Sequence, residues 1–244
     1  MRLIQASALA LAGALCVAQL HAQQPAQPPA GQRGGMRGMN MQETAHKVAG
    51  GGIFAPGWQG KADGTDSVND AKFEMKGSEI AISTGPASVW WNPKDTASGD
   101  YTVSATFTEP QYMSSNDHPH PYGVFIAGKK LDTDQRTLLY CAPYGSGTFI
   151  VRGFGPASFK MNGGRGAPND AVHKAAGKGS SVTQDVAMSV KGDNVTCSIN
   201  GTTVATYPKS EVVGAGKLES TDGIAGIRVA HNVDVNVTNF TVTK

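Results

Sequence analysis

Residues 114–130 read SSNDHPHPYGVFIAGKK. His118 and His120 stand two apart, each followed by a proline, with Asp117 just ahead. In an extended segment, side chains two apart project to the same side. Two imidazoles so placed suit two chemistries. They can ligate one divalent ion, or they can move a proton near neutral pH. A plainer reading stands beside these: proline after each histidine excludes helix and stiffens a polar loop. Aromatic residues suggest recognition instead. Trp90 and Trp91 are adjacent, so on a strand they face opposite ways, and an exposed one can stack on a sugar ring with its N–H free to bond. Tyr122, with Trp58 and Tyr112, can extend such a platform. The alternative is that the two tryptophans cover the two faces of one sheet.

The elements that must position these residues are strands. YTVSATFT (101–108) alternates, with Tyr101, Val103, Ala105 and Phe107 on one side and hydroxyl residues on the other, which predicts a half-buried antiparallel strand. VAMSV (186–190) repeats the pattern. NVTCSINGTTVATY (194–207) reads as two strands around Asn200-Gly201, a strong hairpin signal. YGVFIAG (122–128), apolar throughout, predicts a central strand covered on both faces. Near the end, Ile227 and Val229 precede a corner at His231-Asn232. Val233, Val235 and Val237 then alternate, and a bulge near Thr238-Asn239 is needed to bring Phe240 and Val242 back into phase. KSEVV (209–213) offers one helical turn. The irregular stretch 155–182 is long enough to form a lid or flank a cleft. GGRGAPND (163–170) and AAGKGSS (175–181), glycine-rich but followed by no helix that could cradle phosphate, read as loops. Many short strands with Gly, Pro and Asn punctuation predict an all-β fold, a two-sheet antiparallel β-sandwich.

Ahead of this domain the chain has a different character. Residues 1–22 carry Arg2, an Ala/Leu-rich apolar run and small Ala22, the pattern of a secretory signal peptide. Residues 23–45 are rich in Pro, Gln and Gly without hydrophobic period, which predicts a disordered linker, and the β-sandwich domain is expected over 46–244. The protein is therefore expected to be exported, periplasmic or extracellular, with no membrane insertion. Of 21 basic and 19 acidic side chains, Arg2, Arg33, Arg37 and Glu43 precede His46, leaving 18 of each in the domain. A balanced domain has no electrostatic footprint for nucleic acid. Cys141 and Cys197 follow the leader. In an oxidising compartment they can pair, or they can be two small buried hydrophobes, the reading that Cys197 between inward Val195 and Ile199 suggests.

Several of these stretches together resemble one family. STGPASVWWNP (83–93), SGDYTVSATFT (98–108), PYGVFIAGKKL (121–131), NGTTVATYP (200–208) and GIAGIRVAHNVDVNVTNFTV (223–242) are similar to exported bacterial domains of the concanavalin A-like lectin/glucanase fold, grouped with the 3-keto-disaccharide hydrolase domain. The resemblance covers roughly residues 55–243, and of that domain's opening run only Gly57-Trp58 is present. It implies a concanavalin A-like jelly roll and a carbohydrate or glycoside partner. It also draws His231-Asn232-Val233-Asp234 into the site. If the two corners meet, His118, His120 and His231 become catalytic candidates, and His118, His120 and Asp234 ligands for one divalent metal. The implied reaction is elimination. A ketone at C3 of a sugar acidifies the C2 proton, a base removes it, the C1 glycosidic oxygen leaves, and water adds. Glucanases of the same fold use two carboxylates about 5 Å apart on one strand. The nearest pair here, Glu219 and Asp222, precedes Gly223 in a turn, so a retaining glucanase is not expected. The alternative function is a non-catalytic glycan- or protein-binding module built on Trp90, Trp91 and Tyr122.

Overall fold

Alternation of apolar and polar residues, broken every few residues by glycine or asparagine, leaves this chain little but strand and turn. A computed structural model describes residues 44–164 and 166–244. The expected signal peptide and most of the expected linker lie outside the described residues. In chain order the first strands are β1 (Gly52–Phe54), β2 (Gln59–Ala62), β3 (Lys72–Lys76), β4 (Glu79–Ser83), β5 (Ser88–Ala97), β6 (Tyr101–Glu109), β7 (Tyr122–Lys129) and β8 (Thr137–Tyr144). They are followed by β9 (Thr148–Phe154), β10 (Ser158–Lys160), β11 (Ala167–Pro168), β12 (Val182–Lys191), β13 (Asn194–Ile199), β14 (Thr202–Pro208), β15 (Gly223–Val229) and β16 (Asp234–Thr243). One helical turn, α1 (Lys209–Val212), falls where the sequence offers it.

The strands form two sheets. The first runs β1-β3-β4-β16-β6-β12-β13-β14, and the second β10-β9-β8-β7-β15-β5-β2, with β11 added beside β9. Pairing is antiparallel except between β1 and β3. The expected two-sheet sandwich is therefore the observed fold. Among the described residues no helix is long and apolar enough to cross a membrane.

The period-two pattern sets what lies between the sheets. In β6, Tyr101, Val103, Ala105 and Phe107 are buried while the residues between them are not. In β12, Val186, Met188 and Val190 face the same interior. β7 is buried along seven of its eight residues, as a run apolar on both faces requires. The β13–β14 hairpin turns on Asn200 and Gly201, at φ 50° and 78°. Both angles are left-handed, as a type I′ turn demands, and glycine takes that conformation without steric penalty. The bulge needed in β16 is also present: register with β6 shifts between Thr238 and Thr241, where Asn239 sits at φ 55°.

The two cysteines are bonded. Cys141 of β8 and Cys197 of β13 form a disulfide between the sheets, with Cα atoms 6.0 Å apart. Both side chains are buried as well, so each of the two readings of these residues captures part of the arrangement.

The tryptophans answer to the covering role. Trp90 is fully buried between the sheets, stacked on Phe73 at 5.0 Å between ring centroids. Trp91 is buried on the opposite face of β5, within a second cluster that includes Val89, Phe125, Leu131 and Leu138. Tyr122 faces the inter-sheet core, stacked on Phe107. The expected sugar platform of Trp90, Trp91 and Tyr122 is therefore not an exposed surface. Each ring is worth more to the core as apolar area removed from water than it would be on the outside.

Candidate functional site

The second sheet has an unusual outer face. An outer face of a sandwich ordinarily meets water, yet here Val89, Trp91, Phe125, Tyr140 and Ile150 are all buried on it. The residues from Lys130 to Arg136 lead back to this face, and Leu131 packs into the cluster. Close packing also constrains the backbone: a Cβ at Gly226 would stand 2.3 Å from the Trp90 carbonyl oxygen and 2.6 Å from the Phe125 ring.

Charge is buried with them. Arg228, on β15, points outward from the sheet and is only 8% exposed. A guanidinium so enclosed needs a counter-charge, and Asp63, just beyond β2, supplies it through two parallel bonds at 2.6 and 2.5 Å. Arg136, also buried, donates to the same carboxylate and to the Ala62 carbonyl at 3.2 Å. Both guanidinium groups lie over Phe154, at 5.4 Å for Arg228 and 5.1 Å for Arg136, and Arg228 also lies 5.8 Å from the Tyr140 ring. Burial alone would raise the Asp63 pKa. The charges and hydrogen bonds of Arg228 and Arg136 outweigh it and hold the carboxyl below its ordinary value.

Beside this triad the sheet opens into a groove of about 820 Å³, lined by Asp63, Arg228, Tyr140, Tyr144, Ser146, Thr148, Ile150, Arg152 and Gly164 and by the histidine corner. The volume is within the range of small-molecule sites. Gly164 comes from the irregular 155–182 stretch, which therefore flanks the groove.

The two expected corners do meet. His118 and His120 enter from the loop before β7, and His231 from the turn after β15. The turn is made by Asn232 at φ 54°, a conformation asparagine tolerates. Asn232 is also a clamp: its side chain bonds the Thr44 carbonyl and the His46 N–H, and its own carbonyl accepts from Asn116 at 2.7 Å. The His118 and His120 rings are 4.4 Å apart, and those of His120 and His231 4.0 Å.

A chain of hydrogen bonds runs through the corner. Asp117 Oδ1 meets His118 Nδ1 at 2.5 Å, His118 Nε2 meets His120 Nε2 at 2.8 Å, and His120 Nδ1 meets the His231 carbonyl at 2.6 Å. A carboxylate and a carbonyl can only accept. Each Nδ1 is thereby placed to donate, and the two Nε2 atoms face each other. The hydrogen bond from His118 is the main reason that the exposed Asp117 carboxyl titrates below its usual range.

Asp234 is not part of this cluster. The αL turn at Asn232 sends the chain from the second sheet to the first, where Asp234 opens β16 opposite Ser83, exposed. Among the described residues no group of three or more His, Cys, Asp and Glu side chains is arranged to hold a metal ion. Of the expected metal set, His118 and His120 stand together at the corner, while Asp234 begins a strand of the other sheet. Of the other candidates, Trp58 packs on Phe73 and Phe240, and Tyr112 is buried near Gly145.

Asp63, Arg136, Arg228, Tyr140 and Arg152 went unnoticed in the sequence. Their signal was there: Arg228 in GIAGIRVA and Arg152 in FIVRGF are single charges inside apolar strands, and a buried charge implies a partner.

Beneath the corner, between the sheets, Glu109 ends β6 almost fully buried. Burial is the main cause raising its pKa, and the negative charge of Asp234 adds to it; the Met113 N–H, donating at 3.0 Å, and the Tyr122 hydroxyl act the other way. A carboxyl whose folded pKa is raised favours the fold fully below its unfolded value, about 4.3, and loses that contribution as pH rises through the folded value. Glu109→Gln is expected to leave stability unchanged near pH 3 and to raise it at pH 8, read as urea midpoints at the two pH values. An equal effect at both would contradict the assignment.

Neither a protein-family profile nor a curated protein matches the chain. Solved structures do resemble it in architecture. A carbohydrate-binding module from Bacillus subtilis aligns with 77% of this chain and 96% of its own at 12% identity and a TM-score of 0.44. A Bacillus subtilis protein of unknown function with a galectin-like fold aligns over 76% and 88% at 14% identity and a TM-score of 0.46. Sheep galectin-11, in complex with glycerol, aligns over 60% and 92% at 9% identity and a TM-score of 0.41. Likenesses at this level carry no argument about what the groove does.

Proposed function

We propose that this is an exported, carbohydrate-active protein whose groove takes a glycoside, and that the His118–His120 pair is the proton-transfer group in cleaving a 3-keto-glycoside. The single observation that carries this is the hydrogen-bonded histidine pair at the edge of a groove. The two Nε2 atoms face each other at 2.8 Å, with each Nδ1 anchored. An Nε2 lone pair can serve as the base. It takes the C2 proton of the 3-keto sugar, the electron pair shifts to the ketone as an enolate, and the C1–O bond then breaks to expel the alkoxide, which is protonated to the alcohol. Water adds at C1 of the resulting enone and C2 regains a proton, so the net change is hydrolysis. The positive charges of Arg228 and Arg152 in the groove favour the enolate. Export agrees with the Cys141–Cys197 disulfide, since such bonds persist in oxidising compartments. The resemblance in the strand motifs supports the choice of substrate.

The test is release of the aryl group from a chromogenic aryl 3-keto-glucoside. Release by the wild-type protein is expected to fall at least about 100-fold in His120→Ala, the scale of a lost general base. Release that persists in that variant would remove the histidine pair from the reaction. No release by the wild type, with the glycoside still bound, would make the groove a non-catalytic glycan-binding site.

A further inference from the structure

The domain as a whole is electrically balanced, but the groove is not. Asp63 is the single carboxylate among the described residues lining it, and that carboxylate is already shared by Arg228 and Arg136. Against it stand Arg228 and Arg152. The described lining therefore carries a net positive charge of one within a space bordered by the low-dielectric floor of Tyr140 and Ile150, where charge acts more strongly than on an open surface.

Arg152 is the group available to a ligand. It stands on β9 directly across from Tyr140 in the strand register. Its Nη2 donates to the Gly164 carbonyl at 2.6 Å, and its Nε–H is buried without a hydrogen-bond partner. No carboxylate is paired with it among the described residues, unlike Arg228 and Arg136. A guanidinium offers five donors in a planar fork suited to a carboxylate or sulfate. Tyr144 lies near Arg152 and is partly buried at the same wall, where its ring can lie against the apolar face of a pyranose.

We infer that the groove selects sugars bearing an anionic substituent, carboxylate or sulfate, read by Arg152 while the ring lies against Tyr144. The inference rests on the reading that the groove takes a sugar. It is tested by binding rather than turnover, so that failure of cleavage leaves it standing. Calorimetric titration of the full chain with methyl glucuronide, methyl glucoside 6-sulfate and methyl glucoside is expected to rank at least one anionic sugar tenfold or more above the neutral one, the scale of charge-assisted hydrogen bonding. The order of the two anionic sugars identifies the group that is read. The preference is expected to shrink with added salt and to disappear in Arg152→Gln, while Arg152→Lys retains part of it and both variants keep the wild-type melting temperature. Equal affinity for the three sugars, or an anionic preference unchanged in Arg152→Gln, overturns the inference. Binding of none of them overturns the sugar reading with it.

Discussion

Asp63→Ala is expected to lower the unfolding free energy by about 3 kcal/mol, the lower end of the range for stripping a buried charge of its partner. Two guanidinium groups depend on this one carboxylate, and both Arg136 and Arg228 are less than a tenth exposed. Removing the carboxylate leaves two like charges side by side with no acceptor between them. The lower end applies because the Asp63 side chain itself is 34% exposed, so water can enter to solvate the vacancy. For a domain of this size the loss corresponds to a fall in melting temperature of roughly 6–12 °C. Its pH dependence has a definite sign. A carboxyl whose folded pKa is depressed contributes fully above its unfolded value, about 3.9, and loses that contribution as pH falls through the folded value. The gap between wild type and Asp63→Ala should therefore be constant from about pH 5 upward and narrow below pH 4. Thermal melts at pH 7 and pH 3 measure it. A variant as stable as the wild type at pH 7 would mean that the arginines find other partners and that the triad does not organise the outer face.

Reducing the Cys141–Cys197 disulfide is expected to lower stability by about 4 kcal/mol. The bond closes a loop of 56 residues, and the chain-entropy relation for a loop of that length gives this figure. The effect arises in the unfolded chain, which gains freedom when the link between β8 and β13 is lost. The variant to pair with reduction is Cys141→Ala with Cys197→Ala. Both sites are fully buried, so alanine leaves small cavities, whereas serine would bury hydroxyls without partners. Guanidinium unfolding with and without reductant should show the midpoint falling, with a steeper dependence on denaturant because the freed chain exposes more surface. The double variant should melt like the reduced wild type and be insensitive to reductant. An unchanged midpoint on reduction would show that the two sheets are held by packing alone.

What the sequence determined by itself was everything that depends on local periodicity. The alternation in β6 and β12, the Asn200-Gly201 hairpin, the fully apolar β7, the bulge at Asn239 and the corner at Asn232 are each written in fewer than a dozen consecutive residues, because strand faces and turn dihedrals are local properties. His118 and His120 could be paired for the same reason, being two apart in an extended segment. Joining them to His231 depended on family resemblance, since no local rule relates residues 111 positions apart. The tertiary structure decided the rest. It chose which side of the Asn232 corner each residue fell on, bringing His231 into the groove and carrying Asp234 into the other sheet. It also chose which face of β5 was covered, so that neither Trp90 nor Trp91 met solvent. Above all, it assembled Asp63, Arg136 and Arg228 from three distant segments around one carboxylate. A sequence shows that a charge sits in an apolar strand, but its counter-charge is fixed only when the sheet order places β2, β15 and the approach to β8 on the same face.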